Sequence, residues 1–220
     1  MLAEPFPVRL NRARLALLPA ALLLLLAPAA RAQFGAPPTT PVHDATALKP
    51  PAGARVAIIE FEDLECPDCA NANPLLKEAA AKYGIPWVRH DFPLPMHNWS
   101  FQAAVNARFL DTKSQALGNE YRDSVFANQI SIETPAQLRQ FTQRFADAHK
   151  IPLPVFIDPT GKFEQEVKAD FALGQKIGIE HTPTIWIVTN AAHAAPFVEV
   201  VDRSKLFQLI DQAEAEARGR

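Results

Sequence analysis

Cysteine is nearly absent: the 220-residue chain holds two, Cys66 and Cys69. A structural zinc site takes four ligands, and no second cysteine pair exists to complete one. Charge of one sign is missing as well. Lys and Arg total 22 against 24 Asp and Glu, a formal net of −2 with no basic stripe, so nucleic acid is set aside as a partner. Long apolar runs are also lacking. The best candidate, residues 15–30, is broken by Pro19 and Pro28 and falls short of the roughly 20 residues a membrane-spanning helix needs. What remains is an ordinary globular composition, 48% hydrophobic and 21% charged, long enough for one domain with an insertion or for two small domains.

The apolar run has instead the layout of an export signal. Arg9, Arg12 and Arg14 precede it, and Ala30-Arg31-Ala32 supplies small residues at a cleavage position, with Gln33 expected as the first mature residue. The other reading is an uncleaved anchor. Cleavage removes four arginines and one glutamate from the totals of 22 and 24, leaving 18 basic against 23 acidic side chains and a net of −5. Export would place the chain in a periplasmic or other extracytoplasmic space, not spanning the membrane once processed, where a disulfide persists. Residues 33–54, rich in Pro, Ala and Thr, read as a flexible leader, with a short edge strand at 46–48 the only regular structure expected there.

Both cysteines stand in Cys66-Pro67-Asp68-Cys69, where a short apolar run meets a helical stretch. Residues 56–61 are β-branched and apolar, the pattern of an interior parallel strand. Residues 70–83 are alanine-rich and closed by Gly84, a glycine helix stop. Cys66 then falls at the N-cap, and Pro67 at the first helical position, where its missing N–H costs nothing. A sulfur placed there faces unpaired backbone N–H groups and the positive end of the helix dipole. Both favour thiolate, the form that attacks disulfides. Thiol–disulfide exchange is the leading idea; half of a metal site and a purely structural disulfide are the alternatives, the last gaining little from so tight a loop.

Glu60 breaks the apolar strand. It is either on a solvent-facing side, with Glu62, Asp63 and Glu65 as an acidic rim, or a buried carboxyl beneath the cysteines able to move a proton to or from Cys69. Pro74 predicts a kink in the helix. Residues 86–92 read as a second parallel strand, completing a βαβ unit. From 97 to about 150 the pattern is helical and carries no catalytic constellation, with a capping box at Thr134-Pro135-Ala136-Gln137. Asp158-Pro159 opens another helix. Pro183 marks the first residue of a strand at 184–188, residues 197–201 read as a further strand, and Asp202 caps a last helix.

Three segments together carry a resemblance: residues 59–69 (IEFEDLECPDC), 91–97 (DFPLPMH) and 178–184 (GIEHTPT). In order and spacing the chain resembles the DsbA-like thiol–disulfide oxidoreductases of the thioredoxin superfamily, in the branch with a helical insertion. The likeness runs from Val56 to the C-terminus. It implies an α/β thioredoxin fold built from 55–96 and 158–220, with an all-helical subdomain inserted at 97–157. Cys66 becomes the exposed nucleophile and Cys69 the buried resolving thiol. Glu60 becomes the proton relay, and Thr182-Pro183 a cis-proline loop facing the disulfide, with His181 beside it as a substrate contact. The implied activity is a dithiol oxidase acting on client proteins and recycled by a membrane redox partner, with no cofactor beyond the Cys66–Cys69 disulfide and no metal. A disulfide reductase or redox relay, and a non-enzymatic thioredoxin-fold binding module, are the other readings.

One departure concerns Pro67-Asp68, the dipeptide that tunes the pKa of Cys66. Strongly oxidising members carry histidine where this chain has Asp68. At about 6 Å and an effective dielectric of 20 to 80, a like charge opposes the Cys66 thiolate by roughly 0.7–2.8 kcal/mol. That raises its pKa by about half to two units and predicts a weaker oxidant.

Overall fold

Seven consecutive residues, Val56–Glu62, form β1, and all seven are buried. The strand is covered on both faces, which is why its residues lack the alternation of a half-exposed strand. It pairs parallel with β2 (Trp87–Asp91) and antiparallel with β3 (Thr184–Thr189), which pairs antiparallel with β4 (Phe197–Glu199), in the order β2-β1-β3-β4. The central strand, expected to be parallel, is so on one side only. A helical crossover returns β2 in the same direction as β1, whereas the longer excursion delivers β3 from the opposite end. The computed structural model describes residues 39–192 and 195–219, so the expected signal segment 1–32, its cleavage site and residues 33–38 lie outside the described residues.

Helices cover each face of the sheet. On one, Val56, Ile58, Ile185 and Ile187 pack against Ala72, Leu76 and Ala79 of α1 (Pro67–Tyr83) and Leu206 and Ile210 of α6 (Leu206–Arg218). On the other, Ala57, Ile59, Phe61, Trp186 and Val188 meet Phe92 and Ile177, the last residue of α5 (Lys162–Ile177). Gly174 is required here: a Cβ would lie 2.6 Å from the Phe92 ring, too close for any other residue to leave α5 so near β2. Between β2 and α5 stand α2 (Ser100–Asp111), α3 (Gln115–Ala127) and α4 (Pro135–Ala148). They share a core of Ala103, Leu110, Tyr121, Val125, Leu138, Phe141 and Phe145, and that core also takes in Cys66, Cys69 and Trp99. Half of the expected capping box forms, with Thr134 Oγ1 accepting Gln137 N–H, while Gln137 Oε1 reaches back to the N–H of Glu133 in place of that of Thr134. This is a thioredoxin fold with a helical insertion, and the cysteines sit at the seam.

Several local expectations change. Residues 39–54, expected as part of a flexible leader, are tied to the body of the fold. Thr40 donates through N–H and Oγ1 to Glu199 (2.6 and 2.9 Å), His43 N–H reaches Ile177 O (2.8 Å), and Leu48 is buried. No strand forms at 46–48, because the segment turns there instead of running along an edge. α1 continues through Pro74 and ends at Gly84 in the left-handed conformation, as its glycine stop predicts. α5 begins at Lys162 rather than at Asp158, although Asp158 Oδ2 still accepts Glu164 N–H from upstream. Asp202 caps a short 3-10 turn, Arg203–Lys205, ahead of α6. Among the described residues no helix is long and apolar enough to cross a membrane.

Candidate active site

Cys66 is the N-cap of α1 with Pro67 at the first helical position, as the sequence predicts. Its pKa falls from the ordinary thiol value of 9.0 to about 6. The Cys69 thiol hydrogen-bonding to its sulfur contributes most, burial opposes, and the Thr182 side chain and the N–H groups of Cys69 and Asp68 add to the lowering. The expectation of an exposed nucleophile needs correction. Only 7% of Cys66 is accessible, because it packs into the core shared with the helical block. Cys69 is fully buried, and burial first, then its hydrogen bond to Cys66 and the Glu60 and Cys66 charges, push its thiol well above the usual range. Both cysteines are free thiols. Pair and helix together hold one sulfur ready to ionise beside one that resists it.

The two readings of Glu60 are resolved in favour of burial: it is 0% exposed. One oxygen accepts Trp87 Nε1–H at 3.0 Å, and Oε1 has no protein partner. Burial, followed by the nearby Glu62 charge, pushes its pKa up to about 8. A carboxyl raised from 4.5 contributes its stability below that value and loses it as pH climbs through about 8. Glu60→Gln keeps the shape and cannot ionise. Its melting temperature relative to wild type is therefore expected to rise by about 10 °C between pH 5 and pH 8. A constant offset across that range would mean Glu60 carries no displaced proton. The alternative of an acidic rim is not realised, because Glu62 and Asp63 are buried too.

The Thr182–Pro183 bond is cis, and Thr182 O lies 3.4 Å from Cys66 Sγ. The loop thus faces the nucleophile from a position 116 residues further along the chain. A cleft of about 220 Å³ opens beside it, lined by Asp68, His181, Pro183, Ile185, Val200 and Arg203 among others. His181 is exposed and lines this cleft.

Asp68 does not confront the Cys66 sulfur as a free charge. Arg203 holds its carboxylate at 2.6 Å and its carbonyl oxygen at 3.0 Å, so a positive charge stands beside Asp68 and offsets part of the opposition expected from the sequence. Arg203→Met is expected to raise the Cys66 pKa by about half a unit by freeing that charge. Asp68→Asn alone is expected to lower it by less than that, and the double variant to lie near wild type. Thiolate absorbance of the reduced proteins reads all three, and an Arg203→Met titration identical to wild type counts against the offset.

Sequence reasoning missed several residues. Arg203 follows the Asp202 cap and carries no local signal. Gln129, in a 3-10 turn of the helical block, donates to Leu64 O (2.8 Å) and Cys66 O (3.1 Å), fastening that block to the redox loop. Glu65 accepts the N–H groups of Trp99 and Ser100 at the start of α2. Glu62 takes the guanidinium of Arg89 (2.8 Å) and lies 3.7 Å from Arg122, which grips Asp111 with two bonds of 2.9 Å. The buried acids of β1 were legible only as breaks in an apolar run. Among the described residues no group of three or more His, Cys, Asp or Glu side chains could hold a metal ion.

A thioredoxin fold presenting a Cys-x-x-Cys dithiol to a cis-proline loop defines a class, and comparison with known proteins agrees. Residues 51–203 match the family described as thioredoxin, and the chain belongs to it. Its architecture is DsbA-like. α-DsbA1 of Wolbachia pipientis superposes with a TM-score of 0.63 at 20% identity, covering 77% of this chain and 90% of that one. The thiol-disulfide exchange protein α-DsbA2 of the same organism gives 0.58 at 17%, covering 74% and 84%. A periplasmic thioredoxin-like protein from Salmonella enterica serovar Typhimurium gives 0.55 at 16%, covering 73% and 84%. No curated protein matches.

Proposed function

We propose that this chain, a protein thiol–disulfide oxidoreductase, works as an exported dithiol oxidase. The observation that carries the reading is the asymmetry of the pair. Cys66 is held down to about 6 while Cys69 is pushed up by burial. Stabilising the Cys66 thiolate stabilises the reduced form and so makes the disulfide a stronger oxidant.

In that reaction a client thiolate attacks Cys66 Sγ, and the Cys66–Cys69 bond breaks with its electron pair leaving on Cys69. Glu60, raised to about 8, supplies the proton that Cys69 takes up. The client's second thiolate then attacks the client sulfur of the mixed disulfide, forming the client's disulfide and releasing Cys66 as thiolate. Of the two client protons one restores Glu60 and the other goes to solvent, so the protein gains two electrons and, on Cys69, one net proton. The Thr182-Pro183 backbone lines the extended client segment, with His181 beside it and Pro67-Asp68 setting the Cys66 pKa. A membrane redox partner reoxidises the dithiol, and the signal at 1–32 delivers the chain to the periplasm or an equivalent space.

The equilibrium redox potential of the mature protein against glutathione tests the direction. A value at or above about −200 mV is expected, whereas one near thioredoxin's, about −270 mV, would make the chain a reductase or relay.

A further inference from the structure

Asp63 is a buried acid beside the cysteines that the reaction above does not use. It is 1% exposed, and every polar atom it has is committed. Oδ1 accepts Glu65 N–H at 2.7 Å; Oδ2 accepts Leu94 N–H at 2.6 Å and lies 2.7 Å from His97 Nδ1. Its carbonyl accepts Cys66 N–H at 3.0 Å, and its own N–H points at Cys69 Sγ, 3.5 Å away. A single residue therefore touches both ends of the redox loop through its backbone. Its side chain locks that backbone to the connector between β2 and α2.

We propose that Asp63 is a positioning residue for the Cys69 half of the exchange: its buried carboxylate, anchored by Leu94 and His97, holds its backbone N–H on the Cys69 sulfur. Cys69 sits in an apolar core, and the titratable groups facing it are Cys66 and Glu60. Both disfavour a second negative charge there, while the Asp63 N–H favours it. A hydrogen bond to a thiolate is charge-assisted, and in a water-poor site no solvent replaces it. The N–H thus acts whenever Cys69 carries the electron pair. That occurs as Cys69 leaves when a client thiolate attacks Cys66, and as it attacks Cys66 Sγ in a mixed disulfide, forming Cys66–Cys69 and expelling the client thiolate. The groups facing the Asp63 carboxylate are His97 and the backbone N–H groups of Glu65 and Leu94, so no other acid shares its site.

This rests on the oxidoreductase reading, and one two-step experiment separates the two. Reduced protein is mixed with glutathione disulfide, and quenched samples are resolved by mass into free protein, glutathione mixed disulfide and Cys66–Cys69 disulfide, from pH 5 to pH 10. In wild type the mixed disulfide forms and then resolves; failure to form it would sink the oxidoreductase reading itself. In Asp63→Ala the first step is expected within twofold of wild type. The second is expected to slow by about tenfold, the worth of one hydrogen bond to a charged group, with its pH profile displaced upward. His97→Phe, which removes one anchor of the carboxylate at a partly exposed position, is expected to slow the second step by about threefold, a part of the same hydrogen bond. A second step unchanged in both rate and profile, or both steps slowed alike, overturns the proposal. Should Asp63→Ala fail to fold, His97→Phe decides by the same criterion.

Discussion

Cys66→Ser is expected to reduce turnover of a dithiol client peptide to the uncatalysed background, a loss of at least about 10⁴-fold by comparison with other nucleophile deletions. No second sulfur can take its place. Cys69 is fully buried and its thiol lies well above the usual range, so at neutral pH it presents neither an accessible nor an ionised nucleophile. The companion variant gives the opposite picture. With Cys69→Ala the Cys66 thiolate still forms a mixed disulfide with an oxidised client, but its partner for closing the exchange is gone, and the adduct accumulates to near stoichiometry. Alkylation of the reduced wild type at pH 7, followed by peptide mapping, is expected to label Cys66 first and Cys69 only after unfolding. Residual turnover in Cys66→Ser, or first labelling at Cys69, would reverse the assignment of the two sulfurs.

Arg89→Met is expected to cost about 3–5 kcal/mol of stability, the usual consequence of removing one member of a buried ion pair. The Arg89 side chain is 4% exposed and that of Glu62 is fully buried. Arg89 also reaches Asp123 (3.2 Å) and Asn73 (3.2 Å), and its guanidinium stacks 4.4 Å from the Trp87 ring. Burial raises both Glu60 and Glu62, and in each case the Arg89 charge opposes the rise. Without it two carboxyls would share the interior with far less compensation. At roughly 2–4 °C per kcal/mol for a chain of this size, the melting temperature should fall by about 10 °C or more. The double variant Arg89→Met/Glu62→Met removes both charges and should recover part of the loss, because an apolar replacement leaves no ion unpaired. Denaturation of the two side by side checks this; equal losses in single and double variants would mean that packing, not charge, makes the network matter.

The motif was legible because it is local. Cys66, Pro67, Asp68 and Cys69 lie within one helix turn, and Pro67 and Gly84 punctuate that helix from either end in ways any chain must obey. Glu60 was visible as an anomaly but not as a buried group. An acid in a strand looks the same whether its face meets water or a helix, until α1 and α6 are in place. Asp63 and Glu65 fitted a solvated rim as well as a buried site because their partners, Leu94, His97, Trp99 and Ser100, lie 31 or more positions away. Residues 39–54 misled for the same reason. Proline and threonine without periodicity suit a free leader, and only the acceptor at Glu199 and the α5 terminus make them part of the body.

Read alone, the chain specified which atom can become a nucleophile and which helix end favours its charge, since hydrogen bonding and dipole within a few residues settle both. The folded arrangement decided how that charge is used. Thr182 comes against the sulfur from 116 positions downstream, Arg203 partly offsets Asp68, and Asp63 aims an N–H at Cys69. Each is a contact between segments far apart in sequence, whose energy depends on burial that only the packed sheet and helices create.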